Sequence, residues 1–303
     1  MTANVLREHP GHHEEALAFA CQGEQLVGVV SLPAAPASSA PGDLALLVVV
    51  GGPQVRAGSH RQFTQLCRAA AAAGVPAMRF DVRGMGDSTG PLHTFEHIGD
   101  DISAALDALQ ARLPDVKRVV LWGLCDGASA ALMHVHNHRD ARVAGLVLLN
   151  PWVRSAQTLA RAHVKHYYWN RLRQGEFWRK LLGGGVALKA LRDLAGNLRA
   201  ARGTAAPAAA GNDAALPFQE RMLRGAEAFD GPVLWVLSGQ DYTAKEFVEL
   251  AAQSPRWQGA LARPQGRRLD MAEADHTFST RADEAALAEA TVAWLRALGG
   301  PAA

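Results

Sequence analysis

The chain has 303 residues, 49% of them hydrophobic and 20% charged, which is the balance of a globular protein and excludes disorder along its whole length. Thirty-one basic residues against 29 acidic ones leave a net charge of +2, too even for a protein whose surface coats nucleic acid. Three widely separated cysteines, Cys21, Cys67 and Cys125, give neither a disulfide framework nor a CxxC metal spacing.

The first residues, MTANVLREHPGHHEE, carry no basic-then-apolar leader pattern and point to the cytoplasm. They read as a solvated tail, with His9, His12 and His13 solvated rather than metal ligands. Ala16–Ala20 and Gln25–Ser31, on either side of CQGE, predict a hairpin, and Pro33–Asp43 a Pro- and Ser-rich loop. Ala45–Val50 then opens a series of buried strands that continues with Ala77–Asp81, Arg118–Trp122, Val143–Leu149, Val233–Leu237 and Arg267–Met271. Helical spacing is found at Arg61–Ala73, Phe95–Arg112, Ala128–His138, Lys245–Ala252 and Glu284–Leu298. Strand alternating with helix predicts an α/β fold, a mostly parallel sheet with helices on both faces. The longest apolar runs, such as Leu44–Val50, fall far short of the roughly 20 residues of a membrane-spanning helix.

Residues 152–228 interrupt this alternation and read as an inserted helical cap, with a low-complexity loop at 200–215; residues 1–151 and 229–303 are left as the core. From Arg154 to Arg199 there are ten Arg or Lys against two acidic residues, interleaved with Tyr167, Tyr168, Trp169, Phe177 and Trp178. One reading is a lid that attracts an anionic or lipid-linked substrate or touches an anionic membrane surface. The plainer reading is a solvated helical face with its aromatics packed inward. His134, His136 and His138 lack an accompanying metal-site carboxylate and read as surface helix positions.

The sharpest chemical signal is Gly123-Leu124-Cys125-Asp126-Gly127, between the strand RVVLW and the helix ASAALMHVH. A strand, a tight turn and a helix are the context of a nucleophile elbow, in which small residues allow the backbones to crowd while the central side chain is lifted over the sheet. Here that side chain is a thiol, and the positive end of the following helix favours its thiolate. Asp241 follows Cys125 by 116 residues and His276 follows Asp241 by 35, each just past a predicted strand. Nucleophile, acid and base therefore stand in the order and at the sheet edge that acyl-transfer chemistry uses. Asp270 and Asp275 are weaker candidates for the acid. Oxyanion donors are expected from the N–H of Asp126 and from the loop Gly51-Gly52-Pro53-Gln54, where Pro53 has no N–H; Gln54 is preferred over Gly52. Asp81 and Arg83 of DVRGMGDS are expected to pair as structure, Arg61 is a weak candidate for a substrate carboxylate, and Cys21 and Cys67 read as packed thiols.

GLCDG, DVRGMGDS, SGQD and DHTF together resemble the α/β-hydrolase superfamily, over about Ala45 to Leu298 apart from the insertion. The strings GGPQVRAGSHRQF, WGLCDGASAAL and SGQDYTAKEF look like the bacterial exosortase A system-associated hydrolase 1 group, which occurs with exopolysaccharide and protein-sorting genes. The resemblance implies Cys125 as nucleophile, Asp241 as acid and His276 as base. The chain departs from most of the superfamily in carrying Cys for Ser and in lacking a His before the oxyanion glycine, although dienelactone hydrolases similarly use a cysteine at this elbow. The expected activity is hydrolysis of an ester or thioester of a small-molecule, lipid- or sugar-linked acyl group, with no metal or organic cofactor and no nucleic acid. The alternatives are an acyltransferase using the same three residues and a non-catalytic binding subunit.

Overall fold

The computed structural model describes residues 4–9, 11–34, 42–154 and 216–299. Its strands are β1 (Asn4–His9), β2 (His12–Cys21), β3 (Glu24–Pro33), β4 (Leu44–Val49), β5 (Ala77–Phe80), β6 (Arg118–Leu124), β7 (Val143–Leu149), β8 (Val233–Ser238) and β9 (Gly266–Met271). Its α-helices are α1 (Gln62–Ala72), α2 (Gly99–Arg112), α3 (Asp126–His138), α4 (Phe218–Ala228), α5 (Tyr242–Gln253), α6 (Pro255–Leu261) and α7 (Arg281–Leu298). The strands form one sheet in the order β1-β2-β3-β5-β4-β6-β7-β8-β9. β1, β2 and β3 run antiparallel to their neighbours, and every pair from β5 to β9 is parallel.

The runs of β4, β6, β7 and β8 are almost continuously apolar because both faces are covered, and alternate side chains serve opposite faces; β9, expected as a buried strand, is the sheet's edge and has no buried residue. Leu44, Leu46 and Val48 of β4 join Trp122 of β6, Phe63 and Leu66 of α1, and Trp294 and Leu295 of α7. Ala45, Leu47 and Val49 join Leu121 of β6 on the other face, with Ile102 and Leu106 of α2, Leu132 of α3 and Phe247 of α5. The parallel arrangement brings the carboxyl ends of β4 to β9 to one edge, and the loops leaving those ends carry Gly52, Arg56, Asp81, Cys125, Asn150, Asp241 and His276.

Four further expectations require correction. The amino-terminal segment is not a loose tail: Asn4–His9 pairs with β2 as a strand, and Glu14 and Glu15 of β2 are buried against Arg68 and Arg112. By its internal contacts the core comprises residues 1–153 and 217–303, so residues 152–153 and helix α4 belong to it rather than to the insertion. The rest of the expected cap, including 200–215 and the aromatics from Tyr167 to Trp178, lies outside the described residues. His134 and His136 are buried, not on the surface. His134 stacks on His138 with ring centroids 4.6 Å apart, and a Cβ on Gly225 of α4 would lie 3.5 Å from that of His136. Finally, Asp81 and Arg83 do not pair with each other: Asp81 holds Arg56, and Arg83 binds Asp101.

Burial, and then the neighbouring His138, push the imidazole of His134 down from 6.5 to about 3. The unfolded chain therefore takes up a proton, between those two values, that the folded chain refuses. The stability tied to this group is complete above pH 6.5 and is lost as the pH falls towards 3, with a slope of about 1.4 kcal/mol per pH unit. Urea unfolding midpoints measured from neutral to acid pH are expected to fall less steeply in His134→Gln than in the parent protein. Parallel slopes would contradict this.

Candidate active site

Residues 123–127 form a turn that only glycine permits at its two ends. A Cβ on Gly123 would lie 2.5 Å from the carbonyl of Gly127, and one on Gly127 would lie 2.4 Å from the carbonyl oxygen of Val49. Between them Cys125 adopts φ 59°, ψ −122°, a strained conformation of the kind held in place at reactive sites. The strain is over-determined by hydrogen bonds. The N–H of Cys125 donates to Leu149 at 2.8 Å, and its carbonyl accepts from Ala128, Ser129 and Trp152 at 3.1–3.2 Å. The half-buried thiol thus stands at the amino end of α3, whose partial positive charge favours an anionic sulfur.

Asp241 caps helix α5. Its carboxylate accepts the N–H groups of Thr243 at 3.0 Å and Ala244 at 3.1 Å, which fixes the oxygen that meets His276 Nδ1 at 2.9 Å. Burial works against the charge of Asp241. The His276 bond and the two amides outweigh it, so the carboxyl stays below its ordinary value. The imidazole of His276 is raised above 6.5, chiefly by that bond and despite its own burial. The Nδ1–H bond leaves Nε2 with the free lone pair. The weaker acid candidates are occupied elsewhere. Asp275 accepts the N–H groups of Thr277 and Ser279, and Asp270 pairs with Arg268. Arg61 is exposed at the start of α1.

Asn150 is a site residue that the sequence patterns did not single out. Fully buried at the end of β7 with φ 44°, it donates to Ser238 Oγ at 2.9 Å and to the carbonyl of His276 at 3.3 Å, and it accepts from Ser238 N–H. It links the strand that anchors Cys125 to the end of β8, from which the Asp241 loop leaves, and to the loop that carries His276. An Asn directly after a buried apolar strand and before Pro151 is the local signal for it, because Asn tolerates positive φ.

A model of the alpha/beta hydrolase family matches residues 46–290. The chain belongs to the α/β hydrolase family. No curated protein matches this hydrolase by sequence. Among solved structures it is similar to an esterase of Pyrococcus furiosus (TM-score 0.62, 15% identity, 99% of each chain covered). It is also similar to a cold-adapted esterase from an Arctic intertidal metagenomic library (TM-score 0.57, 17% identity, 98% of this chain and 99% of that one). A third is a Butyrivibrio proteoclasticus protein with ferulic acid bound (TM-score 0.58, 16% identity, 92% and 98%). At these identities the likeness establishes the fold.

The hydrolase places an unexpected carboxylate beside its elbow. Asp126 turns towards the loop after β4, where a Cβ on Gly51 or Gly52 would lie 2.6 or 2.9 Å from its oxygens. Burial raises its carboxyl, against the pull of its own N–H, the Gly127 N–H, His276 and the Cys125 thiol. The N–H expected to serve an oxyanion is therefore also drawn on by the residue's own side chain. Of that loop, Gly51 and Gly52 abut Asp126, while the side chain of Gln54 donates to Ser59 Oγ at 3.4 Å. Among the described residues no group of three or more His, Cys, Asp or Glu is disposed to hold a metal ion, and no helix is long and apolar enough to cross a membrane.

The three thiols differ in kind. Burial and Asp101 push Cys21 up to about 12, and burial pushes Cys67 up to about 11. Iodoacetamide near neutral pH is expected to place the first adduct on Cys125, located by peptide mass, with Cys21 and Cys67 unlabelled. A carboxylate beside the sulfur opposes thiolate formation, so Asp126→Asn should speed this labelling about tenfold, equivalent to one pKa unit. No acceleration would mean that the charge is not felt at the sulfur.

Proposed function

We propose that this α/β hydrolase cleaves an ester or thioester through Cys125, His276 and Asp241. The observation that carries the reading is the 2.9 Å bond from His276 Nδ1 to a carboxylate already fixed as a helix cap, at the sheet edge where the strained Cys125 stands. In the first half-reaction Cys125 Sγ attacks the acyl carbon and its proton passes to His276 Nε2. The resulting oxyanion meets the N–H of Asp126 and a second N–H from the loop after β4, supplied by Gln54 or Gly52. Collapse breaks the bond to the leaving oxygen or sulfur, which takes the proton from His276. In the second half-reaction His276 removes a proton from water, which attacks the acyl-cysteine and frees the acid and the thiol.

Two of the similar structures are esterases by name, which supports ester cleavage. The likeness of GGPQVRAGSHRQF, WGLCDGASAAL and SGQDYTAKEF to the exosortase-associated group favours an acylated saccharide or its lipid-linked form as substrate.

The test is hydrolysis of a panel of short-chain p-nitrophenyl esters and acyl thioesters by the parent protein and Cys125→Ala. Activity in the parent alone, with an acyl mass trapped on Cys125, supports the reading. Equal background rates for both across the whole panel would remove it.

A further inference from the structure

Strands β4 and β5 are parallel neighbours, with Val48 beside Arg79, so the loops that leave them at Val50 and Asp81 rise side by side. Asp81 is fully buried. One carboxylate oxygen accepts the backbone N–H of Arg56 at 2.6 Å. The other accepts the Arg56 guanidinium and the N–H of Asp87, the latter at 3.1 Å. The carbonyl of Asp81 accepts the Ser88 hydroxyl at 2.8 Å. A Cβ on Gly86 would lie 2.1 Å from the carboxylate, so a residue without a side chain is what lets this loop close over it. Arg56 in turn is four residues past Gly52 and is the second residue of the turn Val55–Gly58, which Gly58 N–H closes by donating to Val55 O at 2.9 Å. Its other guanidinium nitrogen reaches Asp87, which is exposed.

The loop Gly51-Gly52-Pro53 begins with two residues that have no side chain to anchor them and that lose much conformational freedom when fixed. Oxyanion donors act through being held in place before charge develops. At one end this loop is held by β4. At the other it is held by Arg56, whose backbone and side chain both bind the buried Asp81 carboxylate and whose guanidinium also meets the exposed Asp87. A charge-assisted, two-point contact of this kind is among the stronger hydrogen-bond arrangements.

We propose that Asp81 is a positioning residue for catalysis: through Arg56 it holds residues 51–58 where an oxyanion donor must stand, while itself touching no substrate. The inference rests on the acyl-transfer reading above and extends it to the role of DVRGMGDS. It predicts a defect in stabilising the transition state and none in the reactivity of the Cys125–His276 pair.

The experiment compares Arg56→Ala, Arg56→Lys and Asp81→Asn with Asp87→Asn, whose exposed pair contributes little. Three quantities are read on the full chain: kcat and KM for a p-nitrophenyl ester, the iodoacetamide rate at Cys125, and amide hydrogen exchange over residues 51–58. In Arg56→Ala and Asp81→Asn, kcat is expected to fall about a hundredfold, the scale of one lost oxyanion donor, with KM nearly unchanged. Alkylation should stay at the parent rate and exchange at 51–58 should accelerate. Arg56→Lys should recover part of kcat, and Asp87→Asn should match the parent.

Unchanged exchange would overturn the clamp. Faster exchange with unchanged kcat would overturn its catalytic role, as would alkylation falling in step with kcat. Should Asp81→Asn fail to fold, Arg56→Ala, at a partly exposed side chain, decides the matter. If the parent itself hydrolyses no ester, the acyl-transfer reading fails and the catalytic role falls with it, while the exchange data still decide whether the clamp exists.

Discussion

Asp241→Asn is expected to lower kcat about ten-thousandfold, the loss seen when a triad carboxylate becomes an amide and the imidazole is held in the wrong tautomer. The geometry explains the size of the effect. Asp241 accepts Thr243 N–H on one oxygen and Ala244 N–H and His276 on the other, so an amide there loses the charge, keeps a single acceptor oxygen, and cannot hold both caps and the imidazole at once. The pH dependence carries the sign. In the parent protein the Asp241 bond raises His276 above 6.5, so the imidazole stays protonated, and useless as a base, to a higher pH. Without that carboxylate the imidazole loses its proton more easily, and the acid limb of kcat/KM should move to lower pH. A pH series of kcat/KM for both proteins checks size and direction together. A variant within about tenfold of the parent would indicate that another carboxylate, such as Asp126, orients the ring.

The largest stability effect is expected from Gly127→Ala. The added carbon would lie 2.4 Å from the Val49 carbonyl oxygen and 3.3 Å from the Gly51 nitrogen. Both are backbone atoms of the strand–loop junction beneath the elbow, so neither can swing aside as a side chain would. Overpacking of this kind costs about 1–3 kcal/mol, occasionally more, and the upper end applies because the obstacle is rigid. The matched control is Gly259→Ala in α6, where a Cβ meets nothing within 4 Å. There the same change should be neutral or stabilising by up to about 1 kcal/mol, because alanine is the better helix former. Urea midpoints for the two variants and the parent separate these outcomes. Equal midpoints for both variants would show that the elbow tolerates a side chain the structure has no room for.

These two predictions concern different parts of the same edge. In the proposed reaction Asp241 and His276 need charge and orientation, and the elbow needs backbones closer than a methyl group allows. The conformation of Cys125, at φ 59°, is what the elbow glycines make possible.

Much of this edge is legible in the amino-acid sequence alone. The continuous apolar runs of β4, β6, β7 and β8 announce strands covered on both faces. Gly123 and Gly127 announce the elbow, because close approach of backbones leaves a mark in local composition. Asp241 is visible as a polar residue just past such a strand, and His276 as one past the polar edge strand β9. All of these are properties of a few neighbouring residues, so the chain states them locally.

Other features depend on segments far apart in sequence. That residues 4–9 form a strand depends on β2 offering a partner edge. That His134 and His136 are buried depends on other segments packing over α3, with α4 beside His136. Asp81 chooses Arg56 over Arg83, two residues away, because the loops after β4 and β5 rise together while Arg83 finds Asp101 in α2. The carboxylate of Asp126 faces Gly51 and Gly52, and Asn150 spans to Ser238 and His276, for the same reason. A polar group's partner is whichever atom lies within about 3 Å once the chain has folded, and sequence spacing does not set that distance.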